Sequence, residues 1–430
     1  MHRNVWHPFT IIKNSPDPIK VVSGEGIWLE LEDGTRIVDC ISSWWVNIHG
    51  HARPEITKAI SEQASRLEHV IFSNFTHQPA EDLAEKLSSI LPGKLNRVFF
   101  SDNGSTAVEV ALKQAIQYWR NKGQKRGKFI AFNESYHGDT FGAMSAGSRS
   151  VFSDVFSDHL FDVDFVDYPS TWNGDKSPGD EEDRIIQDIE KLLSDHPDEY
   201  AGIIIEPLIQ GAGGMNMCRE EFLQKLHWVN RQYDTLLIFD EVMTGFGRTG
   251  DWFACAKAQV EPDIICLAKG LTGGFLPLSV TVSSDEIYEA FNSEEPIKTF
   301  WHGHSYTANP LGCAAALASL KLLDTNQAAF KMMEQWHHLF IKQYLSDTQI
   351  DRIRVKGTIA AFRIVTNEES GYLNRVADTV KKVCIDYGLL LRPLGDTLYL
   401  MPPYCITKEE LENVYQNIQK LLIDHLDQAR

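Results

Sequence analysis

No apolar run in the sequence approaches the roughly 20 residues that span a bilayer. The opening Met1-His2-Arg3-Asn4-Val5-Trp6-His7-Pro8 lacks the basic start and continuous apolar stretch of a secretory signal. There is no C-x-x-C pair. Cys40, Cys218, Cys255, Cys266, Cys313, Cys384 and Cys405 are scattered, as in a reducing compartment rather than a disulfide framework. Nor is there a basic run. With 41 basic and 59 acidic side chains the formal net charge is −18, which argues against a phosphate-backbone binder, because displacing counterions needs clustered Lys and Arg. No repeat or low-complexity tract is present. Together these absences point to a cytoplasmic protein without membrane or nucleic-acid partners. The 43% apolar content over 430 residues supports a large core and argues against disorder.

What is present is a series of short apolar runs alternating with helix-period segments: Val98 to Phe100, Phe129 to Phe132, Gly202 to Ile205, Leu236 to Phe239 and Ile264 to Ala268. Continuous apolarity means burial on both faces, so these runs predict a mostly parallel sheet between helices, a three-layer α/β/α unit. Asn309-Pro310 reads as a helix start, with an alanine-rich helix from Leu311 to Leu323. Beyond it lie strand-like pieces at Ala360 to Val365, Leu389 to Arg392 and Leu398 to Met401. A terminal helix opens with the capping box Thr407-Lys408-Glu409-Glu410. Gly26 to Glu30 and Arg36 to Asp39 form a hairpin around Asp33-Gly34, expected to pack with this smaller α+β unit. The expected division is 1–50 and 311–430 as the two parts of a small domain, with 51–310 as the large one. The polar stretch Trp172 to Asp183 reads as a surface loop.

Ligands of open α/β sheets gather at the carboxyl ends of strands, so the polar residues ending each run are the candidates. Gly104-Ser105-Thr106, opening a helix, could cradle a phosphate or be an ordinary cap. Asp240, with Glu241, needs a cationic partner if buried, whether a structural arginine or a protonated ring nitrogen. Lys269, followed by Gly270-Leu271-Thr272-Gly273-Gly274, could form a Schiff base or be a paired surface lysine. Tyr136, in Ser135-Tyr136-His137-Gly138-Asp139, could stack on a flat ligand or simply pack. Each signal is weak singly. Jointly they supply the parts that pyridoxal 5'-phosphate requires.

Phe239-Asp240-Glu241-Val242-Met243-Thr244-Gly245-Phe246-Gly247-Arg248-Thr249-Gly250 and Ala268-Lys269-Gly270-Leu271-Thr272-Gly273-Gly274 carry an end-to-end resemblance to the class III aminotransferases, fold-type I transferases dependent on pyridoxal phosphate. Trp6 to Thr10, Ser42 to Trp45, Tyr136 to Met144, Arg392-Pro393 and Tyr399 to Tyr404 narrow it to members that transfer the amino group of S-adenosylmethionine to 8-amino-7-oxononanoate in biotin biosynthesis. The resemblance implies the cofactor on Lys269, Asp240 at its ring nitrogen, Val242 on one ring face and Tyr136 on the other. Gly104, Ser105 and Thr106 would hold the phosphate, with His304 and Ser305 reaching it from the second subunit of a homodimer. Phe9, Trp44, Trp45, Tyr136, Asp139, Gly303 and Tyr399 would line the substrate channel, and Arg392 would take the substrate carboxylate, which suits a guanidinium fork.

Other readings are weaker. Gly245 to Gly250 spells G-x-G-x-x-G, but Asp240 and Glu241 would stand beside a dinucleotide's pyrophosphate. His49-Gly50-His51 and His302-Gly303-His304 lack a third metal ligand of recognisable spacing. Within the resemblance, Phe9 replaces a tyrosine of adenosylmethionine-using members, His304-Ser305-Tyr306 a Pro-Thr-Phe, and Leu394 a phenylalanine. The stretches His302 to Tyr306 and Arg392 to Asp396 look closer to relatives that use lysine as amino donor. Trp44 beside Trp45, Gly104-Ser105 and Tyr399 to Tyr404 lean toward S-adenosylmethionine, the donor expected here. An ornithine or 4-aminobutyrate branch is the remaining alternative.

Overall fold

The computed structural model describes residues 4–13, 17–150, 153–367, 370–371 and 374–425. The five apolar runs become strands of one seven-stranded sheet. Across it the order is Leu95–Ser101, Ser279–Ser284, Ile264–Leu267, Leu236–Asp240, Tyr200–Ile205, Lys128–Phe132 and Asp164–Val166. Every pairing is parallel except those of Ser279–Ser284, which runs antiparallel to both neighbours. That strand is absent from the apolar runs because alternate residues are hydroxylic. Val280 and Val282 enter the core, while Thr281 donates its hydroxyl proton to the Ala107 carbonyl at 2.7 Å.

Alternation along the buried strands divides the core in two. Ile204, Ile238 and Ile264 pack with Val108, Ala111 and Ala115 of the helix Gly104–Asn121. Ile203, Ile205, Leu237 and Phe239 pack with Ile185 and Ile189 of Pro178–Asp195 and with Phe222 and Leu226 of Glu220–Gln232. Burial on both faces is what a central parallel strand requires. The loop reading of Trp172 to Asp183 needs correction: Pro178 opens a helix, and its polar residues form a first turn in which Asp180 and Glu181 complement the helix dipole.

Chain-start strands Val21–Glu25, Trp28–Leu31 and Arg36–Asp39 form an antiparallel sheet completed by Leu389–Leu390, which lies parallel to Arg36–Asp39 with Leu390 opposite Asp39. The strand expected to reach Arg392 therefore ends earlier, leaving that arginine just beyond the sheet. A second antiparallel sheet joins Ile350–Lys356, Ile359–Ile364 and Thr397–Leu400. Asn309 caps Pro310–Thr325, accepting from the Leu311 and Gly312 amides at 3.0 and 3.1 Å. The terminal helix Lys408–His425 has the expected reciprocal box: Glu410 donates its amide to Thr407 Oγ1 at 3.1 Å, and Thr407 donates its own to Glu410 Oε2 at 2.9 Å. Among the described residues no helix is long and apolar enough to cross a membrane.

Candidate active site

At the end of the central strand, consecutive carboxylates take different tasks. Glu241 turns inward and accepts the Ala254 and Cys255 amides at 2.7 and 2.8 Å, satisfying the N-terminus of the helix Ala254–Ala258. Burial pushes its carboxyl up to about 7. Asp240 turns toward a cavity and meets His137 Nδ1 at 2.7 Å while accepting the Val242 amide at 3.1 Å. An ionised Asp240 only accepts, so this geometry places the imidazole proton on Nδ1. His137 is buried, and its Nε2 has no hydrogen-bond partner among the described residues.

Lys269 follows the adjacent strand Ile264–Leu267, half-buried and with φ at +46°. Burial lowers its pKa; the Asp240 and Glu206 carboxylates oppose the shift, and the Arg248 guanidinium adds to it. Its Nζ stands 4.8 Å from the centre of the Trp45 ring.

Two glycines shape the cradle at the start of Gly104–Asn121. A Cβ on Gly104 would come within 2.7 Å of Val242 Cγ1, and one on Gly138, whose φ is +129°, within 2.1 Å of Ser105 Oγ. Ser105 Oγ accepts the Asp139 amide at 3.2 Å. Thr106 is placed elsewhere: its amide donates to Asn103 Oδ1 at 3.0 Å and its hydroxyl faces Asp102 and Asn103, so it serves as the cap's third residue.

Tyr136 and Trp45 face the cavity from elements tied by Glu206. This buried carboxylate accepts the Tyr136 amide at 3.0 Å and the Gly211 amide at 2.9 Å, and a Cβ on Gly211 would press on the Trp45 ring at 3.1 Å. Burial and the Asp240 charge push Glu206 up to about 7 against the pull of His137 and the two amides. The Tyr136 phenol is pushed up by burial and by Asp139.

The channel wall departs most from ordinary backbone. Ser42, Ser43, Trp44 and Trp45 have φ of +51°, +46°, +68° and +75°, a left-handed turn without glycine. Each such residue costs roughly 1–2 kcal/mol, so the surroundings must hold the turn. Trp45 donates Nε1–H to the Tyr399 hydroxyl at 2.9 Å, and the fully buried Arg248 donates to the carbonyls of Trp45 and Pro402 at 3.0 and 3.2 Å. Trp44 lies under the Arg392 guanidinium at 4.5 Å and against Phe9 at 5.3 Å.

One cavity of about 630 Å³ thus gathers Gly104, Ser105, Tyr136, Asp240, Val242 and Lys269 with Phe9, Trp44, Trp45, Arg392 and Tyr399. Asp139 lines the adjoining cleft, which shares Tyr136. Gly303, His304 and Ser305 do not line this cavity within the single chain. The histidines of the two pairs are engaged separately: His49 Nε2 meets Ser319 Oγ at 3.0 Å, His51 pairs with Asp39, His302 Nδ1 meets Lys113 Nζ at 2.9 Å, and His304 Nδ1 accepts the Tyr306 amide at 3.2 Å. Sequence reasoning assigned no task to His137, Glu206 or Arg248. Glu206 directly follows a strand and was accessible by the same strand-end rule, whereas the other two sat inside motifs read for other residues.

A cavity-lining lysine, a histidine-braced carboxylate and a glycine-spaced cradle at a helix start match an aldehyde, a ring nitrogen and a phosphate. The class-III aminotransferase family model matches residues 11–422, and the chain belongs to that family of pyridoxal-phosphate enzymes. It is 55% identical to an adenosylmethionine-8-amino-7-oxononanoate aminotransferase of Synechococcus elongatus, over 98% of this chain and 99% of that one. Among solved structures it is similar to an enzyme of the same description from Methanocaldococcus jannaschii, with a TM-score of 0.91 at 33% identity over 98% and 97% of the two chains. An amine transaminase of an uncultivated Pseudomonas species, solved with pyridoxal phosphate bound, gives 0.90 at 28% identity over 99% of both chains.

Proposed function

We propose that this aminotransferase moves the amino group of S-adenosylmethionine to 8-amino-7-oxononanoate, yielding 7,8-diaminononanoate for biotin biosynthesis in the cytoplasm. The observation that carries the reading is the channel: indole faces lead from Lys269 along Trp45 and Trp44 to the Arg392 guanidinium. An apolar passage with a cation at one end and an amine at the other suits a long keto acid held by its carboxylate. The activity for which the Synechococcus elongatus relative is named supports the same choice.

When bound, pyridoxal phosphate supplies an aldehyde and an electron-withdrawing ring that ease proton loss from an amine-bearing carbon. Asp240 holds a proton at the ring nitrogen, and His137 fixes the carboxylate that does so. Val242 and Tyr136 bound the ring faces. Gly104 and Ser105 present a helix start to the phosphate. Lys269, whose neutral form burial favours, would take the proton from the donor's amine-bearing carbon and deliver it to the carbon that was the cofactor's aldehyde. Arg392 orients the acceptor so that its ketone meets the lysine end. The donor's deaminated oxo product leaves, its amino group retained in the site, before the acceptor enters, a ping-pong sequence.

His304 and Ser305 complete the phosphate site from a second copy of the chain. The exposed Trp301 and Tyr306, on the segment that carries them, offer an apolar face for that copy. Loaded enzyme mixed separately with S-adenosylmethionine, lysine, ornithine and 4-aminobutyrate tests the donor through its visible absorbance. Bleaching by S-adenosylmethionine alone is expected. Bleaching by lysine alone reassigns the donor, and bleaching by ornithine or 4-aminobutyrate alone overturns the reading.

A further inference from the structure

The left-handed turn Ser42–Trp45 contains no glycine, yet it presents both indoles of the channel. Its restraint comes from a polar cluster outside the cavity. Asp39, fully buried at the end of the strand Arg36–Asp39, accepts the Ile41 amide on Oδ1 at 3.2 Å. Its Oδ2 accepts the Ser43 hydroxyl at 2.7 Å and meets His51 Nε2 at 3.0 Å. Asn47, just past the turn, meets His51 Nδ1 through Nδ2 at 2.9 Å. An amide nitrogen only donates, so His51 accepts on Nδ1 and donates Nε2–H to Asp39. His51 is itself fixed, exchanging backbone hydrogen bonds with Gly26 at 2.7 and 3.3 Å. The cluster therefore grips the turn before it, within it and after it.

The same strand aligns the far wall. Leu390 pairs with Asp39, and two residues later Arg392 stacks over Trp44. One strand end thus sets both the indole and the guanidinium against it.

From this we infer that Asp39 and His51 are positioning residues, holding the left-handed turn so that Trp44 and Trp45 keep the spacing between Lys269 and Arg392 that the acceptor needs. This rests on the keto-acid channel proposed above. It gives the motif His49-Gly50-His51 a task other than metal binding.

The test uses loaded His51→Ala enzyme. The acceptor KM is expected to rise about tenfold, because small misplacements of positioning groups carry large penalties, while kcat stays within about threefold. The visible cofactor band should be unchanged and the near-ultraviolet circular dichroism of the tryptophans diminished. Ser43→Ala, which removes one hydroxyl from the cluster, should shift KM and dichroism in the same direction by less, and it carries the test if His51→Ala does not fold. An acceptor KM within about twofold of the parent, or unchanged dichroism, overturns the proposal, as does a lower melting temperature with KM unmoved. If the parent does not use 8-amino-7-oxononanoate, the functional reading fails; the comparison is then made with a keto acid the parent accepts, and the same outcomes decide the role of the pair.

Discussion

The two ends of the channel are built to different standards. At the lysine end, Asp240 ends one strand of a seven-stranded sheet and Lys269 and Glu206 follow its two neighbours, the carboxylates buried and the lysine half-buried between them. At the arginine end, Arg392 follows a two-residue strand, and its aromatic neighbours Trp44 and Phe9 are 38% and 51% exposed. Buried strand ends fix atoms to the tolerance that proton transfer needs, whereas recognition of a chain terminus tolerates a looser, surface-mounted group. The contrast shows how one scaffold can keep its chemistry while its substrate changes.

The sharpest way to break the comparison is at the lysine. Lys269→Ala should abolish the visible absorbance of the lysine-bound cofactor and cut turnover by roughly 10³-fold or more, in both half-reactions alike. An unchanged visible spectrum would falsify the assignment. Arg392→Ala should leave that spectrum intact and raise the acceptor KM about 10- to 100-fold, equivalent to the roughly 1.5–3 kcal/mol of a charged hydrogen bond. Equal losses in the two half-reactions would contradict its placement at the acceptor's far end.

The smallest effect on activity concerns the frame beneath the lysine end. Burial raises Glu241 from the ordinary 4.5 to about 7. Between those values the folded protein retains a proton that the unfolded chain has released. This contribution therefore favours folding most at low pH and weakens as pH rises through 7, by on the order of 3 kcal/mol over the full window. Glu241→Gln should flatten the dependence of melting temperature on pH between 5 and 8 while leaving substrate preference as it is. A variant whose melting profile still parallels the parent's would show that Glu241 does not titrate there.

Legibility followed the physics of each element. The parallel strands were readable because burial on both faces leaves a continuous apolar run, and the caps at Asn309 and Thr407 because they are local. Ser279–Ser284 was not, since its alternate residues are hydroxylic and the buried Thr281 hydroxyl is satisfied by a helix carbonyl about 170 residues away in sequence, that of Ala107. Lys269 and Asp240 could be picked out at strand ends. The left-handed turn could not be foreseen, because nothing in Ser42-Ser43-Trp44-Trp45 signals positive φ and its restraints come from Asp39, His51 and Met401. Thr106 showed the converse: a residue type suited to phosphate was already committed to a cap.

The pairing of Arg36–Asp39 with Leu389–Leu390 has a consequence for the order of events during synthesis. The strand carrying Asp39 leaves the ribosome some 350 residues before its partner. The sheet around Asp240 and Lys269 is complete with Ser284, so the lysine end of the channel can assemble on the nascent chain well before the arginine end exists. Ribosome-bound chains stopped between Ser284 and Leu389 would thus hold a lysine pocket with no selectivity for the acid it is to serve.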